Sequence, residues 1–197
     1  MRGGRVVVGL GAAAVFAVSA RGALRPAVSE REAAVFRWFN DGPDAIERPA
    51  WALTQAGSLG SVFVTAAAVE RRRGSRQAFV VLALGSGVWV GAKLIKPLVG
   101  RGRPDRYLEH VRARGRPQSG LGYPSGHAAV SMALALIVAQ EPGPRSLAVA
   151  WAALVGAGRM YLGAHLPLDV AGGFAVGAGS ALAARAILTA ATGTPQV

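Results

Sequence analysis

Three short stretches of this chain carry residues whose types and spacing suit chemistry on an anion. In Arg159-Met160-Tyr161-Leu162-Gly163-Ala164-His165-Leu166-Pro167-Leu168-Asp169, Pro167 fits the first turn of a helix, so His165 precedes that helix and Asp169 follows four positions later. A carboxylate that reaches back to one imidazole nitrogen fixes the tautomer and leaves the other nitrogen free to attack an electrophile. In Pro124-Ser125-Gly126-His127, Ser125 is placed to cap a helix whose first-turn N–H groups favour an anion, and His127 stands where it could protonate a departing alkoxide. In Lys96-Pro97-Leu98-Val99-Gly100-Arg101-Gly102-Arg103-Pro104, a helix runs out into a Gly/Pro-rich turn presenting cations. Lys96 supplies a point charge there, and the Arg103 fork can donate two parallel hydrogen bonds to phosphate oxygens.

Each stretch alone has a plainer reading. Basic residues at the end of a membrane span snorkel to the interface, a Ser before a helix is an ordinary cap, and an Asp in a first turn is favourable whatever lies beside it. The combination is far more specific. Lys96 with Arg103-Pro104, then Pro124-Ser125-Gly126-His127, then Arg159 with His165 and Asp169 resemble the signature of the type 2 phosphatidic acid phosphatase family, whose site plan is shared with vanadium haloperoxidases. That signature runs Lys, six residues, Arg-Pro; Pro-Ser-Gly-His; and Ser-Arg, five residues, His, three residues, Asp. One position departs, since Gly158 stands where the family has Ser, and looser support of Arg159 is expected rather than a dead enzyme.

The resemblance implies a phosphate pocket made by Lys96, Arg103, Ser125, the amide of Gly126, and Arg159. His165 would be the nucleophile oriented by Asp169, and His127 the general acid. It implies hydrolysis of a lipid phosphate through a phosphohistidine, with no metal or other cofactor. Polyprenyl phosphates or diphosphates are the favoured substrates, followed by glycerophospholipid phosphates. Arg112, Arg114 and Arg116 read either as contacts to a second phosphate or as a solvated loop face. A different class of reading is a non-enzymatic transport or binding protein in which Lys93, Lys96 and Arg159 line an anion path. It explains the cations but not the paired His and Asp.

The elements that must position these residues are membrane helices. Of the 197 residues, 52% are hydrophobic and 16% charged, and the mean hydropathy of +0.35 is too apolar for an ordinary soluble domain. The net charge of +12 gathers at the ends of apolar stretches, which suits phosphates or anionic headgroups and leaves nucleic acid without support. Absence of cysteine excludes disulfides, thiolate metal sites and cysteine nucleophiles. Apolar runs at 5–22, 49–69, 77–99, 126–139, 146–162 and 167–189 predict one all-α domain over residues 1–197, a polytopic bundle of about six spans. The first run also fits a signal-peptide pattern ending Val18-Ser19-Ala20. The fourth is short, and Pro124 and Gly126 at its start fit a packed interior.

Ser29-Glu30-Arg31-Glu32 has the form of a capping box, opening a short helix with Val35, Phe36, Trp38 and Phe39 in the headgroup region. Trp38 and Trp51 would be interfacial anchors. Arg71, Arg72, Arg73 and Arg76 place the second-to-third connection in the cytoplasm. Helix counting then brings all three stretches to the outer face of the cytoplasmic membrane; the arginines of the 100–124 loop run against the charge rule there, and several of them are expected to be retained for ligand binding. The sequence carries no mark of an oligomeric state.

Overall fold

A computed structural model describes residues 2–116, 118–139 and 142–192. Among these it has eight α-helices and no strand: α1 (Arg2–Ala23), α2 (Glu30–Asn40), α3 (Glu47–Thr54), α4 (Leu59–Arg73), α5 (Ser75–Val99), α6 (Gly126–Val138), α7 (Pro142–Tyr161) and α8 (Pro167–Thr192). All six apolar runs are therefore helical, but they are not six uniform spans. Among the described residues, two helices, one in α5 and one in α8, are long and apolar enough to cross a membrane, and α3 with α4 makes a third candidate across a 64° bend. The break lies at Gly57-Ser58, where Ser58 starts a new helix by accepting from the amide of Ser61 at 3.3 Å. α6, at 13 residues, rises only about 20 Å and cannot cross a core of about 30 Å.

α6 sits at the centre, in contact with α5, α7 and α8. Ala128, Ala129, Val130 and Ala133 are wholly enclosed, so this helix is apolar because it is core, not because it faces lipid. Its lower part packs with Val62, Ala66 and Val69 of α4 and with Val81 and Val88 of α5. A second cluster joins Phe36 of α2 to Ala128, Met160, Leu166 and Val170. The outer surface is also apolar, with Phe63, Val64, Phe79, Leu94 and Leu98 exposed, as a bilayer solvent requires.

Close approach of α6 to α8 depends on missing side chains. A Cβ at Gly173 would run into the carbonyl of Ser125, and one at Gly177 into that of Ala129; small residues at helix contacts let backbones meet in this way. α1 packs along α8, and its Ser19 hydroxyl lies 3.0 Å from that of Tyr123, just before the Pro-Ser-Gly-His stretch. Arg76 and Lys96 stand at opposite ends of α5. Twenty residues of helix separate them by about 30 Å, the thickness of a hydrocarbon core.

The α2 cap differs from the expected capping box in one respect. Ser29 does accept from the amide of Glu32 at 3.3 Å, but the Glu32 carboxylate does not return to the cap. It points inward, nearly buried, to Arg101 and the amide of Leu168. Trp38, on the same helix, is 77% exposed, as an interfacial anchor would be.

Candidate active site

Gly100, with φ 69°, ends α5 in a left-handed turn. The loop that follows is stitched to the next segment by the amide of Gly122 donating to the carbonyl of Arg101 at 2.8 Å. Lys96, on the last turn of α5, donates to the carbonyls of Leu121 and Gly122 at 2.8 and 3.0 Å. Arg103 donates to the carbonyls of Ser119 and Ala164 at 3.1 and 2.7 Å. Both cations thus fix the loop as well as presenting charge.

Ser125 caps α6, accepting from the amide of Ala128 at 3.4 Å, and its own amide donates to the carbonyl of Asp169 at 2.8 Å. That bond ties the start of α6, with Gly126 and His127, to the first turn of α8. Gly57 helps from the other side, since a side chain there would strike the carbonyl of His127.

α7 ends at Tyr161 and α8 begins at Pro167, so His165 lies in the short connection. Asp169 is fully buried, and its Oδ2 accepts from the amide of Leu166 at 2.9 Å. The same oxygen stands 3.6 Å from His165 Nδ1, which itself has no hydrogen-bond partner among the described residues. The pair is poised rather than bonded; such contacts tighten when a ligand binds. Burial, and then the facing charges of Arg159, Lys96 and Arg103, hold the His165 pKa well below its usual value. The ring is therefore neutral at physiological pH, as a nucleophile must be. Burial, and then the charges of Arg159, His165, Arg103 and Lys96, lower the His127 pKa to about 3, so a role as proton donor requires the negative charge of a bound phosphate to raise it.

The structure therefore brings Lys96, Arg103, Ser125, Gly126, His127, Arg159, His165 and Asp169 into one locality. Arg159 donates to Gln118 at 3.1 Å, and its Nε has no partner among the described residues. A cavity of about 200 Å³ opens over this point, lined by His127 and Arg159 together with Trp51, Arg116 and Gln118. Beside it, sharing Gln55, an apolar groove of about 660 Å³ runs between α4, α6 and α7 past Val64, Leu134, Ala135 and Trp151.

Two expectations change. Arg114 borders the cavity but is no solvated loop face: it is buried, donates to the carbonyls of Asn40, Tyr161 and Gly42, pairs with Asp44 at 2.8 Å and lies over the Tyr161 ring, so its side chain is tied into the scaffold. Arg112 also faces Asp44 and Gly42, leaving Arg116 as the member of the trio that lines the cavity without a described structural bond of its side chain. At Gly158 the space expected for a Ser is occupied, because a Cβ there would lie 2.8 Å from the methyl of Thr54. Thr54 is fully buried and fills the gap from α3, so this part of the pocket is packed rather than loose.

Sequence reasoning missed Glu32 and Arg101. Arg101 donates to both oxygens of Glu32 at 3.0 and 2.7 Å and to Asp169 Oδ1 at 3.2 Å, all three side chains being buried. Removing one partner of such a buried pair costs about 3–5 kcal/mol.

Residues 76–192 match the family model described as PAP2 superfamily. Two curated relatives, both named decaprenylphosphoryl-5-phosphoribose phosphatase and from strains of Mycobacterium tuberculosis, are 39% identical over 100 residues, 49% of this chain and 55% of theirs. The chain thus matches about half the length of those relatives. Among solved structures, a transmembrane PAP2 type phosphatidylglycerolphosphate phosphatase from Bacillus subtilis superposes with a TM-score of 0.75 at 21% identity, covering 92% of this chain and 96% of that one. LpxE from Aquifex aeolicus gives 0.66 at 21% identity, over 77% and 92%. These two carry the fold: a membrane-protein helical bundle.

Proposed function

The chain belongs to the PAP2 superfamily, and from that premise we propose that it is a metal-independent lipid phosphate phosphatase working through a phosphohistidine on His165. The observation that carries the reading is the meeting in one locality of two imidazoles, one buried carboxylate and three cationic side chains, drawn from α5 and the loop after it, α6, α7, the α7–α8 connection and α8. In this reading Lys96, Arg103 and Arg159, with Ser125 and the amide of Gly126, hold the phosphate oxygens and stabilise the charge of the five-coordinate transition state. The neutral His165 attacks phosphorus in line, a nitrogen–phosphorus bond forms, and the ester or anhydride bond to the leaving oxygen breaks as His127 supplies a proton to it. The positive charge developing on His165 is met by Asp169 3.6 Å away. Water then attacks the phosphohistidine with His127 taking its proton, returning both imidazoles and releasing inorganic phosphate. The three cations supply the charge stabilisation that a metal ion provides in other phosphatases.

A hydrocarbon chain fits the apolar groove that adjoins the cavity at Gln55, with its phosphate over His127 and Arg159. Polyprenyl phosphates or diphosphates are the favoured class, in keeping with the name of the mycobacterial relatives, and glycerophospholipid phosphates come next. The bilayer is the partner that delivers them, and the site faces the outer side if the arginines at 71–73 and 76 lie in the cytoplasm. The test is phosphate release by purified protein from a panel of lipid phosphates, with and without chelator, beside His165→Ala. Release that chelator leaves unchanged and His165→Ala abolishes is expected. Failure on the whole panel, or full activity in His165→Ala, overturns the proposal.

A further inference from the structure

We propose that Glu32 and Arg101 are positioning residues that set the orientation and acceptor strength of Asp169, so that the headgroup-region helix α2 is part of the catalytic machinery. This rests on the reading of His165 and Asp169 given above.

The geometry is unequal. The Arg101 fork gives Glu32 two bonds, at 3.0 and 2.7 Å, and Asp169 one longer bond at 3.2 Å. A bidentate pair is the stronger of the two arrangements, so Glu32 is the principal partner and Asp169 the lesser one. Asp169 is thereby held by Oδ1 while Oδ2 faces His165. The charges count the same way. Two carboxylates share one guanidinium, so the group keeps a net negative charge toward an imidazole that becomes positive when it bonds phosphorus. With Glu32 absent, Arg101 would turn its whole charge on Asp169 and weaken it as a partner of His165.

The two carboxylates also pin adjoining backbone. Glu32 Oε1 accepts from the amide of Leu168 at 3.0 Å, and Asp169 Oδ2 from that of Leu166 at 2.9 Å. Leu166 directly follows His165 and Leu168 stands in the first turn of α8, so the pair fixes the carboxylate and the chain that carries the nucleophile together. The Arg101 guanidinium is committed to two carboxylates and lines neither the cavity over His127 nor the space beside it, unlike Arg159 and Arg103. It acts through Asp169 or not at all.

The experiment compares kcat and KM for Glu32→Gln, Arg101→Lys, Asp169→Asn and the double variant Glu32→Gln/Asp169→Asn, with size-exclusion profiles in detergent to check folding. Phosphate release by wild type, lost in His165→Ala, establishes the reading on which the proposal stands; without it both fall. With it, Glu32→Gln is expected to lose about 10–100-fold in kcat with KM within about threefold, the pattern of an interaction realised in the transition state. In the Asp169→Asn background the same change should alter kcat by less than about threefold, since residues acting as one unit are not additive. An unchanged kcat in Glu32→Gln, or an equal further loss on top of Asp169→Asn, overturns the proposal. Should Glu32→Gln not accumulate as folded protein, Arg101→Lys keeps the buried charge but not the fork and decides in its place. It is expected to lose kcat by a similar factor, and wild-type kcat there refutes the positioning role.

Discussion

Gly122→Ala offers a sharp test of how tightly the pocket is built. Gly122 lies between the loop after α5 and the first turn of α8; a Cβ added there would sit 2.6 Å from the carbonyl oxygen of Gly102 and 2.9 Å from Asp169 Oδ2. Real Cβ atoms essentially never approach closer than 3.0 Å, so Gly102 must retreat by at least 0.4 Å (3.0 less 2.6) and Asp169 must give way as well. Gly102 is backbone, and Asp169 is fixed on both oxygens, so neither yields cheaply. Overpacking of this kind costs about 1–3 kcal/mol of stability. Catalytic groups need placement within about 0.5 Å, and a misplacement of about 1 Å costs about a hundredfold, so a fall in kcat/KM of at least about tenfold is expected. Gly179→Ala, on α8 with nothing within 4 Å of its added Cβ, is the control and should stay within about twofold of wild type, as surface substitutions do. The assay is phosphate release from a lipid phosphate in mixed micelles, with thermal unfolding alongside. Equal activities and melting temperatures for the two variants would refute the reasoning.

At Gly158, substitution by Ser should lower activity by about tenfold through the clash with Thr54, and Thr54→Ala in the same chain should restore part of it; a double variant no better than the single one contradicts the packing account. Ala135→Trp in the apolar groove should raise KM about tenfold for a long-chain substrate and leave a short water-soluble phosphate ester unaffected, and an equal effect on both sinks the groove as the chain's path. Arg114→Met should lower the melting temperature, because it strips the donor from three carbonyls, whereas Arg116→Ala should leave it unchanged; the reverse order would return Arg114 to the ligand-binding role. His165 has a folded pKa far below that of the unfolded chain, so the unfolded state alone takes up the proton below about pH 6.5. Its contribution to stability is present above that pH and lost as pH falls, by up to about 1.4 kcal/mol per unit. The melting temperature should therefore fall more steeply from pH 7 to pH 5 in wild type than in His165→Gln, and equal slopes would show that His165 is not held neutral.

The clusters of chemistry were legible in the sequence because each sits at a junction that residue type marks by itself: Gly100 after α5, Ser125 before α6, Pro167 at the start of α8. What local pattern could not separate was ligand from scaffold. Arg101 and Arg103 are two positions apart in the same turn, yet one meets Glu32 across 69 positions and the other faces His165. Glu32 carried the spacing of a cap residue, and only the packing of α2 against α7 and α8 shows that its carboxylate is used elsewhere. Arg114 likewise looked like its neighbours until the carbonyls of Asn40, Gly42 and Tyr161 converged on it. Hydropathy located every apolar helix but not its relation to lipid, since an enclosed helix such as α6 and a spanning one such as α5 read alike, and the bend at Gly57 is invisible in a run of apolar residues. Gly158 was read as a loss, because the methyl that replaces the missing side chain comes from Thr54, more than a hundred positions earlier.

The most direct test is rapid acid-free quenching of the purified protein after mixing with a lipid phosphate labelled on its terminal phosphorus. Wild type should carry transient label with the stability of a phosphoramidate, base-resistant and acid-labile, and His127→Ala should both gain and lose it more slowly, since that residue serves both steps. His165→Ala should carry none. Label that persists in His165→Ala, or phosphate turnover with no labelled protein at any time point, would contradict the account.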